Sequence, residues 1–282
     1  MNEINTHLFA ARLRRHVVEM THLGKSSHVG SCLSIADIIA VLYGRVLRVE
    51  PRNPRWNGRD RFVLSKGHAG ACVYAALAER GFFPVSELAN HYQNGSIFSG
   101  HVSHKGVPGV EVSTGSLGHG LPVAAGMAYR LRQQGGSQRV FCVLSDGECD
   151  EGSNWEAFLF AAHYRLDNLV VVVDFNGLQS LGKVSETIQL EPFTDKMEAF
   201  NWGVRRIDGH DHDALTEGLE TLPYETARPS ILIAETVKGK GVSFMEHEVL
   251  WHYRNAQGEE YEAAVKELES REAELRLEFP NA

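Results

Sequence analysis

Residues 139–177 read RVFCVLSDGECDEGSNWEAFLFAAHYRLDNLVVVVDFNG. Two short runs in this stretch, Arg139–Ser145 and Asn168–Asp174, are apolar and rich in β-branched residues. That is the pattern of strands buried on both faces of a parallel sheet. Between them, Ser153-Asn-Trp-Glu156 has the form of a capping box and predicts a helix to about Tyr164. Strand, helix, strand in one such span is a βαβ unit. Working outward, Ser230–Glu235 repeats the apolar strand pattern, and Val204–Ile207 is a weaker instance. Ser34-Ile-Ala-Asp37 predicts a second boxed helix start, opening a buried amphipathic stretch over Ile35–Val49. Leu117–Gln134 predicts a helix stopped by Gly135-Gly136, and Glu259–Leu277 a charged one. The expected fold class is α/β, a parallel sheet with helices on both faces. One domain spans 1–282, with 256–282 as a C-terminal helical extension.

Composition narrows the function classes. The chain has 282 residues, 43% apolar and 23% charged, which excludes a disordered or collagen-like polypeptide. A net charge of −8 argues against a nucleic-acid or anionic-membrane partner. No run approaches the ~18 apolar residues of a membrane span, and Met1-Asn-Glu opens no signal core. Cys32, Cys72, Cys142 and Cys149 show no CxxC spacing, so reduced thiols in a cytoplasmic protein are expected.

In open α/β sheets ligands bind beyond the carboxyl ends of the strands. Asp146 and Asn176 follow the two decisive strands, thirty residues apart. On adjacent parallel strands they share one crevice. A carboxylate and an amide oxygen suit a hard cation such as Mg²⁺ that also takes phosphate and water. Gly147 leaves an N–H bare for a phosphate, and the helix after it turns its positive end to the same place. Taken singly, Asp146-Gly147 and Asn176-Gly177 are ordinary turn dipeptides; it is their joint placement that points to a site. Other nucleotide and hydrolase motifs fail. Gly24-Lys25-Ser26 lacks the glycine a phosphate loop needs at position 19, which is Glu19, and no Gly-x-Ser-x-Gly element occurs. His210 and His212 have a zinc-like look but read better as a turn and helix cap. His101-Val-Ser-His104 sits in a Gly/Pro loop.

Asp146-Gly147 followed by Asn176 resembles the thiamine diphosphate motif, with Ser145 where that motif usually opens with glycine. The surrounding motifs resemble the transketolase family in order and spacing. They are His28 in Ser-Ser-His-Val-Gly, Ser65-Lys-Gly-His68-Ala, Ser99-Gly-His101, Pro108 to Gly118, and Asp146 to Glu151. The likeness runs from about residue 5 to about residue 255. It implies that Asp146, Asn176 and the carbonyl of Leu178 hold Mg²⁺ (or Ca²⁺ or Mn²⁺). It implies His68, Gly147 and Asn176 at the thiamine diphosphate phosphates, with Gly115 and Leu117 along its rings. His28, His68 and His101 would serve catalysis beside a sugar, and Glu151 would link paired sites. A late family histidine falls on His247 or His252, and His252 is favoured.

The resemblance also implies a second, pyrimidine-binding domain with an essential Glu, for which this chain leaves no room. The expectation is the N-terminal subunit of a split transketolase. It would transfer a two-carbon ketol unit from a ketose to an aldose. It would be active only with a separate C-terminal subunit, in a dimer of heterodimers. Rival expectations are another split thiamine diphosphate enzyme (a 2-oxoacid dehydrogenase or an acyl-transferring synthase), a non-catalytic partner that kept the fold, and a metal-dependent hydrolase.

Overall fold

A computed structural model describes residues 4–280. The reading of the Met1 end therefore lies outside the described residues. Five strands form one sheet: β1 (Arg61–Leu64), β2 (Val140–Ser145), β3 (Leu169–Phe175), β4 (Gly203–Asp208) and β5 (Ser230–Glu235). Their order is β1-β2-β3-β5-β4, and every pairing is parallel. Ser145 pairs with Asp174 in register, so the loops after β2 and β3 leave the sheet side by side.

Among the described residues ten α-helices flank the sheet: α1 (Thr6–Gly24), α2 (Val29–Ser34), α3 (Ala36–Val41), α4 (Gly70–Glu79), α5 (Gly120–Gln133), α6 (Gly152–His163), α7 (Val184–Thr187), α8 (Phe193–Ala199), α9 (His212–Glu220) and α10 (Glu259–Glu278). The period of two along the strands divides the core. Phe141, Val143, Val170, Val172 and Leu232 pack with α1 to α4 and α9. Cys142, Leu144, Val171, Val173 and Ile231 face the other way, onto α5, α6 and α8. Helices therefore cover both faces, as the continuous apolar runs required.

Helix starts follow tertiary needs more than local boxes. Asn5 caps α1 by accepting from the Leu8 N–H at 3.0 Å. Neither predicted capping box forms. The Ser153 hydroxyl instead donates to the Gly118 carbonyl at 2.7 Å. The Ser34 hydroxyl donates to Asp174, and Asp37 pairs with Arg14. The stretch predicted as one helix over Ile35–Val49 is α3 followed by a widened π turn over Leu42–Val46. α5 begins three residues after Leu117. α10 lies against α1, burying Ala264, Leu268 and Leu275, while Glu272 pairs with Arg12, Arg15 and Arg276.

Candidate active site

Four adjacent strands deliver their carboxyl ends to one cavity of about 220 Å³. β1 leads into Ser65-Lys66-Gly67-His68, β2 into Asp146-Gly147, β3 into Asn176-Gly177-Leu178, and β5 into Thr236-Val237-Lys238. Gly67 has no room for a side chain, because a Cβ there would strike the Thr114 carbonyl. The loop of Gly115 and Leu117 closes one side, and the α2 entry with His28 another.

The carboxylate of Asp146 is fully buried. It accepts from Gly147 N–H at 2.7 Å and Gly177 N–H at 2.5 Å. Among the described residues no cation pairs with it. Burial, then repulsion from Asp174, pushes its pKa up to about 7. Asp174 sits behind it as a hub. Lys66 Nζ (2.5 Å), Ser34 Oγ (2.7 Å), Asn176 Nδ2 (2.9 Å) and the Thr236 hydroxyl all donate to it. Burial alone would raise the Asp174 pKa, yet the Lys66 charge and these donors hold it below the usual carboxylate range. Because the Asn176 amide nitrogen is held this way, its oxygen turns the other way and accepts from Leu178 N–H at 3.1 Å.

The donor set fits a hard cation. One uncompensated carboxylate, one oriented carboxamide oxygen and the Leu178 carbonyl are all oxygen ligands, and their small number leaves positions open for phosphate and water. Among the described residues no cluster of three His, Cys, Asp or Glu side chains is placed to hold a metal. A softer ion thus lacks its usual ligands here.

The opposite charge problem lies a few ångströms away. Lys238 is 2% exposed and has no carboxylate at salt-bridge distance among the described residues; its Nζ donates only to the Leu178 carbonyl, at 3.1 Å. Burial and the nearby Lys66 lower its pKa to about 8. Four histidines close the cavity. The ring of His28 lies 5.1 Å from His68, 5.5 Å from His101 and 4.9 Å from His252. His28 holds a left-handed backbone (φ 74°), an uncommon conformation for a residue with a side chain. Burial, then His101 and the two lysines, pull His28 down to about 4. Burial and Lys238 pull His252 to about 3. His68 is lowered by burial and Lys66, and His101 by burial. Each shift favours the neutral imidazole. Among the described residues His252 Nδ1 is buried with no partner.

The structure gathers His28, His68, His101, Gly115, Leu117, Gly147, Asn176, Leu178 and His252 around the cavity, with Asp146 beneath. His252 lines it, whereas His247 is exposed and hydrogen-bonds through its N–H to the Lys238 carbonyl. Glu151 is exposed at the start of α6, beside Gly118, and does not line the cavity. Sequence reasoning missed Lys66, Lys238, Asp174 and Glu148. Lys66 and Glu148 stand inside motifs quoted for neighbouring residues; what Asp174 and Lys238 do shows only through long-range hydrogen bonds.

His210 and His212 belong elsewhere. A ring nitrogen of each reaches Asp37, at 2.6 and 3.0 Å, alongside the two-pronged Arg14–Asp37 pair. Asp211, between them, caps α9. They border a separate cavity of about 790 Å³ under α10.

A family model for the thiamine diphosphate binding domain of transketolase matches residues 6–271. The chain belongs to the transketolase family. It is a thiamine diphosphate-binding domain and a transketolase-type transferase subunit of the N-terminal kind. A 6-deoxy-6-sulfo-D-fructose transketolase subunit, SqwG, of Clostridium sp. (strain MSTE9) is 41% identical over 86% of this chain and 88% of its own length. An apulose-4-phosphate transketolase of Phocaeicola vulgatus, likewise named as one of the enzyme's subunits, is 38% identical over 94% of both chains. The names of these relatives as subunits imply a separate partner chain. Transketolase from Campylobacter jejuni superposes with a TM-score of 0.85 at 29% identity, covering all of this chain and 49% of that one. The transketolase domain thus spans about half the length of such solved transketolases. No helix among the described residues is long and apolar enough to cross a membrane.

Proposed function

We propose that this chain carries the diphosphate-binding half of a ketol-transferring active site, completed by a separate subunit with the pyrimidine-binding domain. The observation that carries the reading is the pair of unmet buried charges. Among the described residues Asp146 pairs with no cation and Lys238 with no carboxylate; Lys238 lines one small cavity, and Asp146 lies beside Gly147, which lines it too. A divalent metal diphosphate supplies both at once, and each charge then regains compensation for its burial.

In this reading Asp146, Asn176 and the Leu178 carbonyl hold Mg²⁺, with Ca²⁺ or Mn²⁺ as substitutes. Gly147, His68, Lys66 and Lys238 face the diphosphate, and Gly115 and Leu117 the rings; the Gly147 N–H, expected to be bare for a phosphate, is instead held by Asp146. Thiamine diphosphate, when bound, supplies the electron sink for breaking a ketose C2–C3 bond. The protein's share is orientation and proton handling. Ser27 Oγ engages His28 Nδ1 at 2.9 Å, which leaves His28 Nε2 for a sugar hydroxyl. His101, neutral and at the mouth, accepts the hydroxyl proton as the bond breaks, and His252 helps hold the sugar. Glu151, exposed outside the cavity, links paired active sites in this reading. The assembly proposed is a dimer of heterodimers in the cytoplasm, with 256–282 a helical extension of a single diphosphate domain. Donors and acceptors are sugars bearing an anionic group, as the sulfonated and phosphorylated substrates named for the relatives suggest.

The test is turnover. The chain mixed with its partner subunit, Mg²⁺, thiamine diphosphate and an aldose acceptor should shorten phosphorylated or sulfonated ketoses by two carbons and lengthen the aldose by two, and neither chain alone should. His101→Ala should slow this by ~10²–10⁴-fold. Full turnover by the lone chain, or none from the pair with any ketose, would overturn the proposal.

A further inference from the structure

Glu148 stands two residues beyond Asp146 and is completely buried. Its Oε1 accepts from the Ser65 hydroxyl at 2.5 Å and from the Gly118 N–H at 3.0 Å. Oε2 faces the Ser145 N–H at a longer 3.4 Å. Its own N–H donates to Ser145 Oγ at 3.3 Å, and its carbonyl accepts from Asn154 Nδ2 at 2.7 Å. One side chain therefore joins the exit of β1, the loop before α5 and the exit of β2. Ser145, which stands where the thiamine diphosphate motif usually has glycine, gives this residue both a donor and an acceptor.

The joint is tight. Gly118 has φ 78°, and a Cβ there would lie 2.5 Å from Ser153 Oγ and 2.6 Å from Glu151 Cβ. Its carbonyl is held by the Ser153 hydroxyl while Glu148 holds its N–H. Gly120 is pressed against Ser65, with no space for a side chain. Ser65 opens the turn that carries Lys66 and His68, and Leu117 directly precedes Gly118. Both segments line the cavity, one bearing Lys66 and His68 and the other Gly115 and Leu117.

We propose that Glu148 is a positioning residue. By bridging Ser65 to Gly118 it sets the gap between the phosphate-facing wall and the ring-facing wall, and so the fit of a ring-bearing diphosphate. The inference rests on the reading of this cavity as the thiamine diphosphate site. It separates two contributions to affinity: the anion's, which depends on Lys66, Lys238, His68 and the metal, and the ring's, which depends on the bridge.

The experiment compares Glu148→Ala, Glu148→Gln and Ser65→Ala with the parent chain. Hydrogen exchange over residues 115–120 is read on the full chain. Affinities for thiamine diphosphate and for inorganic pyrophosphate, each with Mg²⁺, are read on the chain assembled with its partner. Glu148→Gln keeps an oxygen for Ser65 and Gly118, so exchange and both affinities should stay within about threefold of the parent. Glu148→Ala should speed exchange of the loop and weaken thiamine diphosphate by ~10-fold or more, the size of one lost hydrogen bond to a charged group. Its pyrophosphate affinity should stay within about threefold. Ser65→Ala removes one arm of the bridge and should shift thiamine diphosphate the same way by less, which keeps the test open should Glu148→Ala fail to fold. Equal losses for both ligands, no loss for either, or a Gln variant as damaged as the Ala variant would overturn the bridge. A parent assembly that binds neither ligand would instead overturn the site reading beneath it.

Discussion

Asp146 concentrates the site's electrostatics in one side chain. A buried carboxylate is costly, and among the described residues the Gly147 and Gly177 N–H groups, with the more distant charge of Lys66, offset only part of that cost. Asp146→Ala should therefore abolish Mg²⁺-dependent thiamine diphosphate binding in calorimetric titration, and retained tight binding would remove Asp146 from the metal site. The histidines give a prediction about pH. His28 and His252 have folded pKa values of about 4 and about 3, below the ordinary 6.5. Between those limits the unfolded chain binds more protons than the folded one, so their contribution to stability grows as pH rises to about 6.5 and is lost in acid. Asp146, raised to about 7, acts with the opposite sign over roughly pH 4–7. Thermal unfolding of His28→Asn across pH 4–7 should show a shallower acid loss than the parent chain. Asp146→Asn should show a steeper one. Unchanged slopes in both would contradict the neutral histidine cluster.

At the scale of elements, the loop after β5 holds Lys238 in place. His210 Nε2 accepts from the Val237 N–H at 2.8 Å on one side, and Arg14 Nε donates to the Lys240 carbonyl at 3.0 Å on the other. Both His210 and Arg14 are anchored on Asp37, so α1, α3, the β4–α9 turn and this loop share one buried joint. Asp37→Ala leaves Arg14 buried without its partner. It should cost about 3–5 kcal/mol in unfolding free energy, the range for breaking a buried ion pair, and a loss under about 1 kcal/mol would contradict that joint. The sheet was legible in sequence because β2, β3 and β5 are buried on both faces and leave uninterrupted apolar runs. β4 was faint because it is an edge strand, with Arg205 and Arg206 partly exposed. Helices do start within two residues of Ser34 and Ser153, but the caps expected there do not form, because a capping box is a local pattern and both hydroxyls are claimed by distant partners. Lys238 and Glu148 were illegible for the same reason: what marks them is a partner 60 or 30 residues away.

For the whole molecule, the transketolase domain brings four strand ends together and leaves one carboxylate and one ammonium to be satisfied by a ligand. Asp146 and Asn176 were readable because adjacent parallel strands place them in one crevice, whereas His28, His68 and His101 were readable only through the family resemblance of their motifs. The choice between His247 and His252 needed the fold, since both follow the same glycine-rich turn and only one returns to the cavity. A half-site should hold the diphosphate and metal weakly and gain affinity when a second chain covers the rings. The most direct measurement is calorimetric titration of thiamine diphosphate with and without Mg²⁺, on this chain alone and then with its partner subunit. Binding that is weak for the lone chain, tight with partner and metal together, and lost on omitting Mg²⁺ is the predicted result. Tight, metal-independent binding by the lone chain, or no binding under any of these conditions, would contradict it.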